Sequence, residues 1–157
     1  MMKGAGGGGG TPWTSPTMTA ADAPSPYIVS AKTHYDDDTY DAWKAMNGNA
    51  DDYWNSNGDT RGEWFQLDCG EGTGPIITSC TIKNMSPYTF VSFNVQGSDF
   101  GVDYTDIYSG ACLGNDNVQE FDFPENTTPY RYLRILNTYA DNNSYVVCYE
   151  ITFSGTR

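Results

Sequence analysis

Positive charge is what this chain has least of. Eight Lys and Arg stand against twenty Asp and Glu, with a single His, for a formal net charge of -12 over 157 residues. A nucleic-acid binder displaces condensed counterions with a basic stripe, and none exists here, so that class is excluded. The same acidity argues against docking on anionic lipid and leaves neutral ligands, cations or a basic protein surface. No apolar run approaches the ~18 residues that a membrane-spanning helix needs. The opening MMKGAGGGGGTPW has no apolar h-region, so an ordinary signal peptide is not expected. Without export, the acceptor-type triplets at Asn84, Asn126 and Asn142 are not expected to carry sugar.

Catalytic and metal-binding vocabulary is equally thin. One His and no G-x-S-x-G remove the familiar nucleophile arrangements. Two carboxylates suffice for a glycosidase, but acids are so common here that their presence discriminates nothing. A non-enzymatic protein is therefore expected. Cys69, Cys80, Cys112 and Cys148 lie far apart with no C-x-x-C pair, which is not zinc spacing. Cys69 and Cys148 fall within apolar strand patterns, so buried free thiols are expected ahead of disulfides.

Aromatic residues are what the chain has in quantity: 15% of the total, twelve of them Tyr. Tyr joins a large apolar face to a hydroxyl and suits both sheet surfaces and binding sites. Residues 1–26 form a Gly/Pro/Ser/Thr-rich block containing Gly6, Gly7, Gly8, Gly9 and Gly10, followed by Trp13. Composition predicts a flexible leader, and ordering it would require a partner. The expectation is an arm, anchored through the glycines and Trp13, that joins copies of this chain or a neighbouring protein.

From residue 27 onward the pattern is β. EWFQLDCG (63–70) puts Phe65, Leu67 and Cys69 on one face, and FVSFNVQGS (90–98) does so for Val91, Phe93 and Val95. SCTIKNM, VQEFDF, YRYLRILN and YVVCYEITF complete the set, separated by turn signals such as SNGD and DNNS. Short alternating strands at this spacing predict an all-β antiparallel sandwich over 27–157. Only DTYDAWKAM (38–46) reads as helical, capped by Asp38 or Thr39.

AWKAMNGNADDYWNS followed by GEWFQLDCG resembles the opening pattern of discoidin, or coagulation factor 5/8 type C, domains. FVSFNVQGSDFGVDYTDI, YRYLRIL and CYEITFSG are similar to later strands of that family, in the same order. The resemblance implies a galactose-binding-like jelly roll of about eight strands with a binding role, commonly for sugars. The sequence departs from the family pattern at Asn47, where Asp is usual, and at Asp52, where Thr or Ser is common. The terminal cysteine pair of vertebrate members has no counterpart here, and the leader has no equivalent in the family.

The resemblance also implies a structural Ca²⁺ under the loop NGNADDYW (47–54), held by Asn47, Asn49, Asp52 and Glu150. Hard cations want several oxygens with at least one or two carboxylates. Read alone, Asn47-Gly48 is a tight turn, since both residues tolerate positive φ. Glu150, set among apolar residues of a strand, asks for a partner. Both readings stand at this point.

Ligands of such sandwiches sit on loops at one end. A sugar needs an aromatic face and polar groups for its hydroxyls. His34, Tyr35, Asn57, Arg61, Tyr88, Tyr139 and Asn142 are the candidate contacts. The acids around His34 would favour its charged form, although a surface His is the commoner case. Arg61 either donates to sugar hydroxyls or pairs with Asp59 or Glu63. Trp43, Trp54 and Trp64 are expected in the core. Together with the leader, this predicts a glycan-binding protein on a phage virion surface, as capsid decoration or tail fibre, assembled in the host cytoplasm. The alternatives are an extracellular bacterial carbohydrate-binding module or a purely structural virion protein.

Overall fold

Period-two alternation becomes strands wherever apolar side chains can share one face, and nearly every run above does so. The computed structural model describes residues 10–36, 39–58, 61–139 and 145–157. Its strands are β1 (Pro12–Thr14), β2 (Ile28–Ala31), β3 (Trp54–Asn55), β4 (Trp64–Asp68) and β5 (Ile76–Asn84). They continue with β6 (Phe93–Ser98), β7 (Thr105–Gly110), β8 (Val118–Asp122), β9 (Tyr132–Asn137) and β10 (Val147–Thr156). One sheet runs β1-β10-β5-β8, with β3 also on β10, and the other runs β2-β4-β9-β6-β7. Between them lie Trp54, Phe65, Leu67, Phe90, Phe93, Ile135 and Phe153, all essentially without solvent exposure.

The helical expectation shrinks to one 3-10 turn, Ala42–Met46, capped by Asp41, whose carboxylate accepts the Ala42 N–H at 2.6 Å. Ala42, Ala45 and Met46 are buried as the spacing requires. All four cysteines are free and buried. Burial pushes Cys69 and Cys80 up to about 12 and Cys112 to about 11, so the thiols stay protonated.

The leader requires a correction. Trp13 pairs with Gly155 in an added strand, and Thr11 and Arg157 exchange backbone hydrogen bonds of 3.0 and 2.9 Å. Met18 is 1% exposed within the core. The Trp13 ring packs against that core, and its indole N–H donates to the Tyr27 hydroxyl at 3.3 Å. A boundary at residue 26 thus cuts through the sandwich, and Trp13 is turned inward rather than offered to a partner. Gly10 lies against Thr156, while Gly6, Gly7, Gly8 and Gly9 lie outside the described residues.

Trp64 is the second correction. Phe65 and Leu67 occupy the inner face of β4, so Trp64 must face outward. There it stacks on Arg134, 4.4 Å from the ring centre, and the same guanidinium lies 3.6 Å from the Tyr104 ring. Trp43 is half-buried against the core edge, and only Trp54 is fully enclosed.

Met18→Ala should destabilise the domain by about 2–5 kcal/mol, the usual cost of emptying a core methionine site. Removal of residues 1–26 should lower the urea midpoint more than Met18→Ala does, because it strips both β1 and Met18. A truncated protein with an unchanged midpoint would show that residues 12–18 do not belong to the sandwich.

Candidate functional site

Strand register sends the connections after β2, β3, β5 and β9 to the same end of the sandwich. These loops are tied to one another by hydrogen bonds. The Thr33 hydroxyl donates to Glu63 at 2.9 Å and accepts from the Asn57 N–H at 2.8 Å. The Tyr35 N–H reaches the Asn55 carbonyl at 2.8 Å, and the Trp54 indole N–H reaches the Thr33 carbonyl at 3.1 Å. Ser56 and Val146 are joined by two bonds, and Val147 N–H donates to the Tyr88 carbonyl at 2.9 Å. Asn137 accepts from the Gly62 N–H and supports Tyr139 through its side chain at 2.9 Å. The loop end is a braced platform.

Most sequence-level candidates gather there. Tyr35 and Tyr139 are nearly half exposed, and Asn57 and Arg61 lie on the surface. His34 is largely covered, its Nε2 3.4 Å from Asp41 Oδ1. Its acidic neighbour is thus the residue that caps the 3-10 turn, whereas Asp36 accepts from the Thr39 hydroxyl. Asn142 lies outside the described residues.

The tertiary structure adds aromatic residues that spacing does not bring together. Tyr88 meets Tyr145 edge-on at 6.2 Å, and Tyr145 meets Tyr35 at 5.6 Å. Tyr35 continues to Tyr40 at 6.1 Å, and Tyr40 stacks on Tyr53 at 5.0 Å and 20°. Tyr53 abuts Tyr149 at 5.7 Å, where the Lys83 ammonium lies 5.3 Å over the ring. A track of phenol rings therefore runs from the loop end down one flank. Hydrogen bonding with Tyr40, together with burial, pushes the Tyr53 hydroxyl up to about 12. Of these rings, Tyr40, Tyr53, Tyr145 and Tyr149 were not candidates from sequence. Alternation against buried Trp54 and Cys148 was the signal for Tyr53 and Tyr149.

The loop 47–54 closes on itself. Asn47 Oδ1 accepts the Asn49 N–H at 2.8 Å, and Asn49 Oδ1 accepts the Asp51 N–H at 3.0 Å. The Asn47 amide N–H donates to Asp52 Oδ2 at 2.8 Å. Lys44 lies 3.8 Å from Asp52 Oδ1 and donates to the Thr39 carbonyl. Glu150 is exposed rather than enclosed. A bulge between Cys148 and Glu150 shifts the alternation, sending Ile151 inward and Glu150 out opposite Lys83. Glu150 lines a small pocket of about 110 Å³ together with Asn49, Lys83 and Tyr149. Asn47, Asn49, Asp52 and Glu150 do not fit a cation cage. The amide oxygens are spent on the turn, an N–H faces the one carboxylate inside it, and an ammonium supplies the positive charge. Among the described residues no three acidic, His or Cys side chains converge on a metal position.

Two five-stranded antiparallel sheets, with ligand-type groups on the loops of one end, define a galactose-binding-like β-sandwich. The F5/8 type C domain family model matches residues 28–151, and the chain belongs to that family. No curated protein matches it. Among solved structures it is similar to the family 32 carbohydrate-binding module of Clostridium perfringens NanJ, solved with galactose. That likeness has 15% identity and a TM-score of 0.68, and covers 82% of this chain and 93% of that one. It is also similar to chitosan-binding module 1 of a Paenibacillus sp. IK-5 chitosanase/glucanase, at 17% identity and TM-score 0.67, covering 82% and 94%. A third is the module of AlyQ with 4,5-unsaturated mannuronic acid, at 20% identity and TM-score 0.64, covering 80% and 92%.

Calcium and EDTA should leave the melting temperature within about 1 °C of each other, since a site that binds only the folded state would raise it. Asn47→Ala should cost about 1 kcal/mol, the worth of the lost turn bonds. A rise of several degrees with calcium would overturn the self-closed loop.

Proposed function

We propose that this domain is a non-enzymatic module that binds a glycan chain along the tyrosine track. The track is the observation that carries this reading: it is continuous, sits on a braced loop end and carries a hydroxyl at every step. Phenol rings give the apolar faces of sugar rings a surface, and their hydroxyls, with Asn57, Arg61 and Tyr139 nearby, meet the polar edges. The net charge of -12 favours neutral or amino sugars over polyuronates.

A bacterial carbohydrate-binding module is the form this reading takes. The virion-decoration alternative leans on the N-terminal arm as a free anchor. The described part of that arm, with Trp13 and Met18, is instead spent inside the domain.

Affinity electrophoresis through galactan, chitosan and alginate gels, and a glycan array with and without EDTA, test the proposal. Retardation in at least one of the first two gels is expected, with no change on chelation. Tyr145→Ala and Tyr40→Ala should each weaken binding about tenfold or more while leaving the fold intact. Because the Tyr53 hydroxyl titrates only near 12, its own contribution to affinity should stay flat between about pH 7 and about pH 9. Absence of binding to every glycan would leave a purely structural role.

A further inference from the structure

The end of the sandwich opposite the loop platform carries a second, differently built concavity. The connections β4–β5, β6–β7 and β8–β9 meet there around a groove of about 690 Å³. Its lining includes Glu71, Thr73, Asp99, Phe100, Thr128 and Arg131. Phe100 is 85% exposed, the most exposed of the large apolar side chains. Its ring therefore offers an apolar face to the groove rather than to the core.

The backbone that carries the ring is held in place. Ser98 Oγ accepts from the Phe100 N–H at 3.3 Å and the Gly101 N–H at 2.9 Å. Gly101 has φ of +73°, and a Cβ there would come within 3.2 Å of the Tyr132 ring. The facing loops are equally fixed, since a Cβ on Gly74 would sit 1.9 Å from the Tyr130 carbonyl oxygen. Arg131 is clamped by Asp68, with Nε to Oδ1 at 2.7 Å and Nη2 to Oδ2 at 3.0 Å, and lies 4.8 Å over Tyr132. Burial alone would push the Asp68 carboxyl up, yet the Arg131 fork and the Gly70 N–H hold it below the usual carboxylate range. The guanidinium is thus held beside the groove that Arg131 helps to line.

We propose that this groove is a second glycan site, taking one or two sugar rings stacked on Phe100. Glu71 and Asp99 accept hydrogen bonds from sugar hydroxyls there, while Arg131 and Thr128 donate them. An exposed ring on a braced loop, beside carboxylates and a guanidinium, suits a polyhydroxylated ring, which is apolar on one face and rich in donors at its edge. Anionic lipid is disfavoured by the two carboxylates. The inference goes beyond the tyrosine track and shares no residue with it. With both sites filled, one chain cross-links two glycan strands.

Backbone amide NMR shifts during titration with galacto-oligosaccharide and chitosan oligosaccharide provide the test. Signals of Gly72, Thr73, Phe100 and Gly101 should move with at least one probe in the wild type. They should move equally in Tyr145→Ala, so this site and the tyrosine track are read separately. Phe100→Ala, a surface change that should not alter melting, should abolish these shifts and leave those at the track. Monomeric wild-type protein should agglutinate polysaccharide-coated beads, whereas Phe100→Ala should bind them without agglutination. Stationary far-end signals with both probes, or agglutination unchanged in Phe100→Ala, would overturn the proposal. Far-end shifts without shifts at the track would uphold it and sink the track instead.

Discussion

Much of the architecture depends on the burial of Trp54. Its ring is fully enclosed between the sheets against Phe65 and Phe90. An indole N–H taken out of water needs an acceptor, and the Thr33 carbonyl supplies it. That bond fixes the loop after β2, because Thr33 also holds Asn57 and Glu63. With Trp54 inward, Tyr53 must lie on the opposite side of the chain, where it meets Tyr40 and Tyr149. One core residue thus sets the loop brace and the middle of the tyrosine track.

The bulge in β10 is the matching constraint on the other strand. Without it, alternation from Cys148 would bury Glu150 and expose Ile151. Glu150 would then need a compensating cation or donor. The extra residue lets Cys148 and Ile151 both face the core and leaves Tyr149 free to end the track. The self-closed loop at 47–52 follows the same economy. Asn47 offers both an acceptor and a donor, so it can bond Asn49 and Asp52 at once, whereas an Asp there would repel Asp52 and ask for a metal.

Features carried by local alternation were legible in the sequence; those created by distant segments were not. Phe65, Leu67 and Cys69 share a face in the chain as they do in the core. The same rule, applied strictly, assigns Trp64 to the face opposite Phe65 and Leu67, where the structure has it. The bulge was also visible, because Val146 and Cys148 are out of phase with Ile151 and Phe153. β1 was hidden, since three residues behind a glycine run show no period and pair only because β10 leaves an edge open. The tyrosine track draws on four separate stretches, at 35–40, 53, 88 and 145–149. No local pattern assembles them. Likewise, the groove beside Phe100 exists only because three connections end at one level.

Charge explains how such a surface works without clumping. Two of the chain's arginines are committed to the outer face of the second sheet. Arg134 lies between Trp64 and Tyr104, and Arg131 is clamped to Asp68 over Tyr132. Stacking suits guanidinium, which is planar and weakly hydrated, and both rings and cation lose little by partial desolvation. The remaining surface is strongly acidic, which opposes the close approach of two copies. Polyuronates meet the same repulsion, whereas a neutral sugar does not, and an amino sugar gains from it. In the proposed glycan-binding role, that acidic field is therefore also the first filter on what reaches the aromatic faces.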